Sequence, residues 1–230
     1  TLEELGLLKM DFLGLRTLTV IQNAVLLARK KQPELNINQI DYNDQKVLDY
    51  IGTGKTDGVF QLESAGMKGF MKELKPHNLE DVIAGISLYR PGPMDFIPQY
   101  IRGKNDSSSI TYDCPQLEPI LAPTYGCIVY QEQVMQIVRD LAGYSLGRSD
   151  LLRRAMSKKK AAVMEKERKI FIYGDEETGV PGCIKNGIDE QTANKIYDEM
   201  IDFAKYAFNK SHAAAYAVVS YQTAWLKYYF

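Results

Sequence analysis

Apolar residues recur at helical spacing along most of this 230-residue chain, and this periodicity restricts its fold more than any other feature. The clearest stripe, at positions i, i+3, i+4 and i+7, consists of Met67, Phe70, Met71 and Leu74. Helices are predicted over residues 17–31, 43–51, 64–74, 78–89, 127–142 and 189–203. A last helix begins at Asn209 or Ser211. The pattern therefore predicts a mainly α-helical chain.

Residues 5–15 (LGLLKMDFLGL) have the dense apolar character of a buried strand, interrupted by Lys9 and Asp11. Residues two apart on a strand share a face, so these two charges would lie side by side. Burying them is costly unless they pair or meet a ligand. Two interpretations stay open. One is a partly buried Lys–Asp pair, and the other is a metal-binding Asp11 beside a cation that meets phosphate.

Positive charge is concentrated in one helical stretch of a chain whose formal net charge is −1. Between residues 148 and 169, nine lysines and arginines face three acidic residues, which gives a local net charge of +6. Within that stretch Arg153 and Arg154 are adjacent, and neighbours on a helix diverge by about 100°. The two side chains can therefore fork around one multiply charged group, which suits phosphate. The simpler alternative is a solvated basic helix face.

The segment before the last helix combines an aromatic ring with polar groups at the positive end of a helix dipole. Its members are Tyr206, Asn209, Lys210, Ser211 and His212. This combination suits a base stacked over a phosphate tail. Taken alone, His212 is better explained as a capping or packing histidine.

Two loop motifs bear on function. Arg90 precedes Pro91-Gly92-Pro93, whose prolines fix a rigid loop, so Arg90 is a candidate ligand contact, although a plain helix stop explains the motif too. The GTGKT sequence at residues 52–56 lacks the first glycine of a P-loop, since Asp49 stands there, and it follows a helical rather than a strand pattern. An ATPase is therefore excluded.

Composition excludes several other classes. The pI near 6.2 gives no overall nucleic-acid signature, so any anion site must be local. The three cysteines lack CxxC spacing, which argues for a reducing compartment and against a zinc site. Without a signal peptide or a run of about 18 apolar residues, we expect a cytoplasmic protein with no membrane partner. Because the chain starts without methionine and ends in WLKYYF, we also expect it to be a fragment.

Six stretches, in order along the chain, together resemble the bacterial family C replicative DNA polymerases, the alpha subunits of DNA polymerase III. The stretches are LLKMDFLGLRTLTVI (7–21), DGVFQLESAGM (57–67), YRPGPM (89–94), PTYGCIVYQEQVMQI (123–137), LLRRAMSKKK (151–160) and FNKSHAAAYAVVSYQTAWLK (208–227). The resemblance implies a helical fingers domain over residues 34–230, incomplete at its C-terminal end. It also implies that residues 1–33 are the C-terminal part of a palm, a short β-strand/helix remnant of the polymerase-beta-like nucleotidyltransferase type.

The resemblance also implies a function, namely template-directed DNA synthesis by nucleotidyl transfer from a dNTP to a primer 3′-OH. The implied partners are primer-template DNA, the dNTP and the rest of the polymerase chain. Replisome subunits such as the sliding clamp and clamp loader would bind through regions that are missing here.

The resemblance assigns roles residue by residue. Asp11 matches the third catalytic aspartate, which shares a metal with an Asp-x-Asp pair, and Lys9 matches a lysine that contacts the triphosphate. Arg153 and Arg154 match the arginines that hold its phosphates, and Tyr206 matches an aromatic residue beside the base. By analogy the same dNTP pocket contains Asn209, Lys210, Ser211 and His212.

The implied cofactor is Mg²⁺ in a two-metal site, completed by carboxylates outside this fragment. No P-D-F-D-x-D-like motif occurs in the chain, so the fragment alone is expected to be inactive. Ser157 also stands where many relatives have glycine. The alternatives are a non-catalytic nucleic-acid-binding module derived from polymerase fingers and a helical scaffold with a solvated basic face.

Overall fold

The computed structural model describes residues 4–8, 10, 12–158, 161–204 and 206–230. Within these ranges the chain contains twelve α-helices, short 3-10 turns and no β-strand, so the predicted mainly helical architecture is confirmed. The helices are α1 (Arg16–Ala28), α2 (Gln45–Gly52), α3 (Ala65–Leu74), α4 (Leu79–Leu88), α5 (Ile97–Asn105), α6 (Glu118–Leu121), α7 (Gln131–Ala142), α8 (Leu146–Ser157), α9 (Ala161–Tyr173), α10 (Gly182–Lys185), α11 (Glu190–Ala204) and α12 (Lys210–Tyr229). None of the helices described there is long and apolar enough to cross a membrane.

Short polar side chains begin several helices at the predicted places. The hydroxyl of Ser64 accepts a hydrogen bond from the Met67 N–H (3.2 Å), and the side-chain oxygen of Asn78 accepts one from the Asp81 N–H (2.9 Å). Asn209 caps α12 in the same way. Each cap satisfies an amide that the first turn of a helix leaves free, which is why the sequence located these helix starts well.

The strand predicted over residues 5–15 is not present in the part of that stretch that the structure describes (5–8, 10 and 12–15). Its apolar side chains are exposed, with Leu8 84% and Leu13 94% accessible. A strand needs a neighbouring strand to pair its backbone, and the described chain offers none. The palm remnant is therefore not confirmed. Lys9 and Asp11 lie outside the described residues.

The helices pack around two main cores. The first core is formed by α2 to α5 and by α12, and its fully buried members include Leu48, Ile51, Leu62, Met71, Leu88 and Tyr221. The second core is formed by α6 to α11, with Ile137, Leu141, Phe171, Tyr197 and Met200 fully buried. Helix α1 packs separately on the C-terminal half of α12. The small residues Ala213 and Ala217 are fully buried where α12 lies against α4.

An extended segment, residues 127–130, joins the two cores. The side chains of its first three residues alternate, because Cys127 and Val129 enter the first core while Ile128 enters the second. The helix predicted over residues 127–142 therefore begins only at Gln131. Successive side chains point to opposite sides only when the backbone is extended, so neighbouring residues that enter two different cores require an extended backbone.

Gln133 supplies the hydrogen bonds that this extended segment lacks. Glutamine is usually exposed, yet this residue is only 7% exposed. Its Oε1 accepts from the N–H groups of Val129 (2.8 Å) and Tyr130 (2.9 Å). Its Nε2 donates to the Thr124 hydroxyl (2.7 Å) and to the Ile120 carbonyl (3.2 Å). The amide is buried because a buried backbone N–H without a strand partner requires another acceptor.

Replacing Gln133 with leucine should lower the free energy of unfolding by about 2–4 kcal/mol, because the buried donors and acceptors that its amide bonds would lose their partner. Urea unfolding followed by circular dichroism measures this change. Gln136→Leu, on the exposed face of the same helix, is the matched control and should stay within about 0.5 kcal/mol. Equal effects of the two substitutions would contradict the importance of this amide.

Candidate functional site

Helix α8 presents its two adjacent arginines at the edge of the second core. Ser145 begins the helix by accepting a hydrogen bond from the Arg148 N–H (3.3 Å), and Leu152 and Met156 are buried in the core. The two arginines then differ in accessibility. The Arg153 side chain is 19% exposed, whereas that of Arg154 is 63% exposed.

Both arginines bind the carboxylate of Asp150, one turn earlier on α8. Arg153 donates from Nε (3.0 Å) and Nη2 (2.7 Å) to one oxygen, and Arg154 Nε lies 2.8 Å from the other. The hydrogen bond from Arg153 is the main cause that lowers the pKa of Asp150 below its ordinary value. The fork expected from the sequence is thus present, and it holds an oxyanion. A phosphate would compete with Asp150 for it.

Other basic residues of this stretch are used in structural ion pairs. Arg148 donates to both carboxylate oxygens of Glu167, at 3.0 and 3.1 Å. Arg168 binds Asp198 and also donates to Asn194 (3.2 Å). The local net charge of +6 therefore overstates the positive charge that a ligand would meet.

The segment before α12 is attached to the start of α7 by backbone pairing. The Phe208 N–H donates to the Val129 carbonyl (3.1 Å), and the Gln131 N–H donates to the Phe208 carbonyl (2.9 Å). This parallel bridge between residues 130 and 208 fixes residues 206–209 beside α7. The predicted aromatic and polar residues therefore lie next to the helix that packs on α8.

The N-terminus of α12 is closed by a carboxylate from α7. Glu132 accepts hydrogen bonds from the Asn209 side-chain amide (2.9 Å) and from the Lys210 N–H (3.1 Å). The Lys210 ammonium binds Glu80 (2.9 Å) and lies 5.3 Å from the centre of the Tyr130 ring. A negative group at this end is favourable to the helix dipole, so an incoming phosphate would meet Glu132 here.

His212 and Ser211 are both exposed in the first turn of α12. The imidazole of His212 packs against the rings of Tyr216 (centroids 4.3 Å apart) and Phe208 (5.4 Å). This contact fits the interpretation of His212 as a packing histidine. Its role towards a ligand stays a prediction.

The loop that carries Arg90 packs on the same segment. The guanidinium of Arg90 lies 4.4 Å from the centre of the Phe208 ring. Gly92 has φ +102°, and a Cβ added there would lie 2.4 Å from the Tyr206 ring. The Tyr206 side chain, in a residue 46% exposed, thus rests directly on the glycine backbone. The loop that carries Arg90 and the residue Tyr206 are therefore brought to one place.

Gln131 links α8 with this segment and was missed by the sequence reasoning. Its Oε1 accepts from Nη1 of Arg153 (3.0 Å), and its Nε2 donates to the Ala207 carbonyl (3.0 Å). Arg153 and residues 206–212 thus belong to one connected arrangement. Asp150 and Glu132 were missed too. The i, i+3 and i+4 spacing of Asp150 to the arginines was a usable signal, whereas Gln131 and Glu132 find their partners only through the fold.

The described residues do not form a metal site by themselves. Within the part of the chain that the structure describes, no three His, Cys, Asp or Glu side chains come together in a way that could hold a metal ion. The one carboxylate assigned to Mg²⁺ by resemblance, that of Asp11, lies outside those residues. Its metal-binding role stays a prediction.

Replacing Gly92 with alanine should destabilise the chain more than Gly58→Ala does. Both glycines have positive φ, but a Cβ at Gly58 would meet no atom within 4 Å. We expect backbone strain of about 1–3 kcal/mol at either position and an excess of at least about 1 kcal/mol at Gly92 from the collision with Tyr206. Urea unfolding measures both. The excess should disappear in a Tyr206→Ala background, and its persistence there would contradict the contact.

Comparison with known proteins identifies the family. The model of the bacterial DNA polymerase III alpha subunit finger domain matches residues 17–179. The chain is 50% identical over 228 residues to the DNA polymerase III subunit alpha of Halalkalibacterium halodurans, covering 99% of this chain and 20% of that protein. For the subunits of Thermus aquaticus and Bacillus subtilis the identities are 51% and 48%, over 98% of this chain and 18% and 20% of those proteins.

The chain thus spans about a fifth of the length of these relatives. The matched residues include α2 to α9 and all but the first residue of α1, and therefore the Asp150–Arg153–Arg154 cluster and Gln131. Because the family model covers more than half of the chain, the chain belongs to the bacterial DNA polymerase III alpha subunit finger domain family.

Proposed function

We propose that this chain works within a longer DNA polymerase as the fingers, which hold the incoming dNTP during template-directed DNA synthesis. The observation that carries the proposal is the pair of arginines on α8 that share one carboxylate. Two guanidinium groups that bind two oxygens of one carboxylate can bind two oxygens of one phosphate group in the same way, which supports the proposal. The relatives, all named as DNA polymerase III alpha subunits, support the same function.

The two arginines suit different tasks in that site. Arg154 is the more exposed and is held by Asp150 of its own helix, so it can turn towards the triphosphate. Arg153 is held on two sides, by Asp150 and by Gln131, so it offers charge from a fixed orientation. Phosphoryl transfer needs positioning and charge neutralisation more than covalent help, and both arginines supply these.

Residues around the start of α12 would bind the rest of the nucleotide. The half-exposed ring of Tyr206 offers a face on which the base can stack. Arg90 lies over the ring of Phe208, two residues further along this segment. Polar side chains on the same turn complete the proposed pocket: Asn209, Lys210, Ser211 and His212. Glu132 would have to leave the Lys210 N–H before a phosphate could take its place.

Lys9 and Asp11 enter the proposal through the resemblance alone. We assign Lys9 to the triphosphate and Asp11 to Mg²⁺, which would need further carboxylates from the rest of the longer chain. Primer-template DNA is the proposed partner of that longer chain. This chain by itself is proposed to be inactive as a polymerase.

Steady-state primer extension by the full-length polymerase tests this function. Arg154→Ala should raise the apparent dNTP KM about 10- to 100-fold, since it removes a charge-assisted contact with phosphate. Arg139→Ala is the control, because it removes an exposed arginine in the last turn of α7, and it should leave KM unchanged. An unchanged KM for Arg154→Ala would contradict the site.

The same assay with Asp11→Asn tests the metal assignment. Extension should fall by at least about a thousandfold while binding of primer-template DNA, measured by fluorescence anisotropy, is retained. Continued extension at the wild-type rate would show that Asp11 is structural. A full-length protein that binds DNA without extending primers would instead favour the non-catalytic binding module.

A further inference from the structure

Gln131 occupies a position where a side-chain amide matches both of its neighbours. On one side Arg153 offers only donors, and on the other the Ala207 carbonyl offers only an acceptor. The Gln131 amide presents its oxygen to Arg153 Nη1 and its nitrogen to Ala207, both at 3.0 Å. A carboxylate at this position would repel the Ala207 carbonyl, and a cation would repel Arg153. The two bonds together also fix which way the amide faces.

The backbone of Gln131 strengthens this link. Gln131 is the first residue of α7, and the N–H groups of a first helical turn have no partner within the helix. That of Gln131 donates to the Phe208 carbonyl at 2.9 Å. One residue therefore binds the segment before α12 at two successive carbonyls, those of Ala207 and Phe208. Its side-chain oxygen also accepts a hydrogen bond from Arg153 of α8.

Arg153 is the residue whose side-chain orientation Gln131 fixes. Its Nε and Nη2 bind Asp150, and its Nη1 binds Gln131, so bonds at both edges of the guanidinium define its plane. Its side chain is only 19% exposed, which reduces competition from water. Asp150 lies on α8 itself, whereas Gln131 connects the guanidinium to a different element. Of the two contacts, that of Gln131 therefore relates Arg153 to residues 206–208.

We propose that Gln131 is a positioning residue of the polymerase, which sets the orientation of Arg153 relative to the segment that carries Tyr206. The proposal rests on the dNTP-binding function proposed above. Gln131 acts through Arg153 and does not itself touch the nucleotide. Its loss leaves the arginine charge in place but lets the guanidinium turn, so nucleotide binding weakens while the chemical step remains available.

Steady-state primer extension by the full-length polymerase tests this role through Gln131→Leu, which keeps the size of the side chain and removes both hydrogen bonds. The apparent dNTP KM should rise about 5- to 20-fold, with kcat changed less than about twofold. A merely structural loss would reduce the active fraction, lowering kcat at constant KM. Gln136→Leu on the exposed face of α7 is the matched control and should change neither parameter.

A double-mutant cycle with Arg153→Ala then asks whether Gln131 acts through that arginine. In the Arg153→Ala background, Gln131→Leu should raise KM by less than about twofold. The full effect persisting there would overturn the proposal, as would an unchanged KM in the single variant. If Gln131→Leu does not fold, Gln131→Glu retains the acceptor for Arg153, and its KM should rise in the wild-type background but not in the Arg153→Ala background.

The outcomes separate this inference from the function on which it rests. If the wild-type enzyme extends primers and Arg154→Ala raises KM while Gln131→Leu leaves KM unchanged, the proposed role of Gln131 is overturned and the proposed function is not. Wild-type enzyme that does not extend primers overturns both.

Discussion

The side-chain amide of Gln133 is the interaction on which the rest of the arrangement depends. It satisfies two backbone N–H groups of the extended segment 127–130, which runs between the cores and pairs with the backbone of Phe208 at its end. On its other side it binds Thr124 and Ile120, ahead of that segment. The segment can therefore stay extended while its side chains enter both cores. The position of the first turn of α7 follows from this.

The candidate site is assembled across the two cores, and the first turn of α7 is where they meet. Helix α8 belongs to the second core, through Leu152 and Met156, whereas α12 belongs to the first. Gln131 reaches the arginine on α8, and Glu132 reaches the start of α12. The buried amide of Gln133 holds the extended segment, and the extended segment positions the first turn of α7. Together they set the distance between the cations of α8 on one core and the aromatic and polar groups near α12 on the other. A substitution of Gln133 should therefore alter the proposed nucleotide binding, although Gln133 is not itself one of the proposed nucleotide contacts.

The sequence predicted what depends on neighbouring residues and missed what depends on the fold. The caps at Ser64, Asn78 and Asn209 could be predicted because a cap and its amide lie three residues apart. The arginine fork followed from adjacency on one helix. The partners of Gln131 and Glu132 could not be predicted, since they lie more than 70 residues away or on another helix. The strand over residues 5–15 was predicted from composition alone, and composition does not supply the neighbouring strand it needs.

A structure of the full-length polymerase bound to primer-template DNA and a non-hydrolysable dNTP analogue would test the central claim most directly. We expect the triphosphate to lie between α8 and the start of α12, with Arg154 turned from Asp150 to a phosphate oxygen. We also expect that Arg153 still donates to Gln131 and that Gln131 still donates to the Ala207 carbonyl. A triphosphate bound away from α8, or Arg153 released from Gln131 on binding, would contradict it.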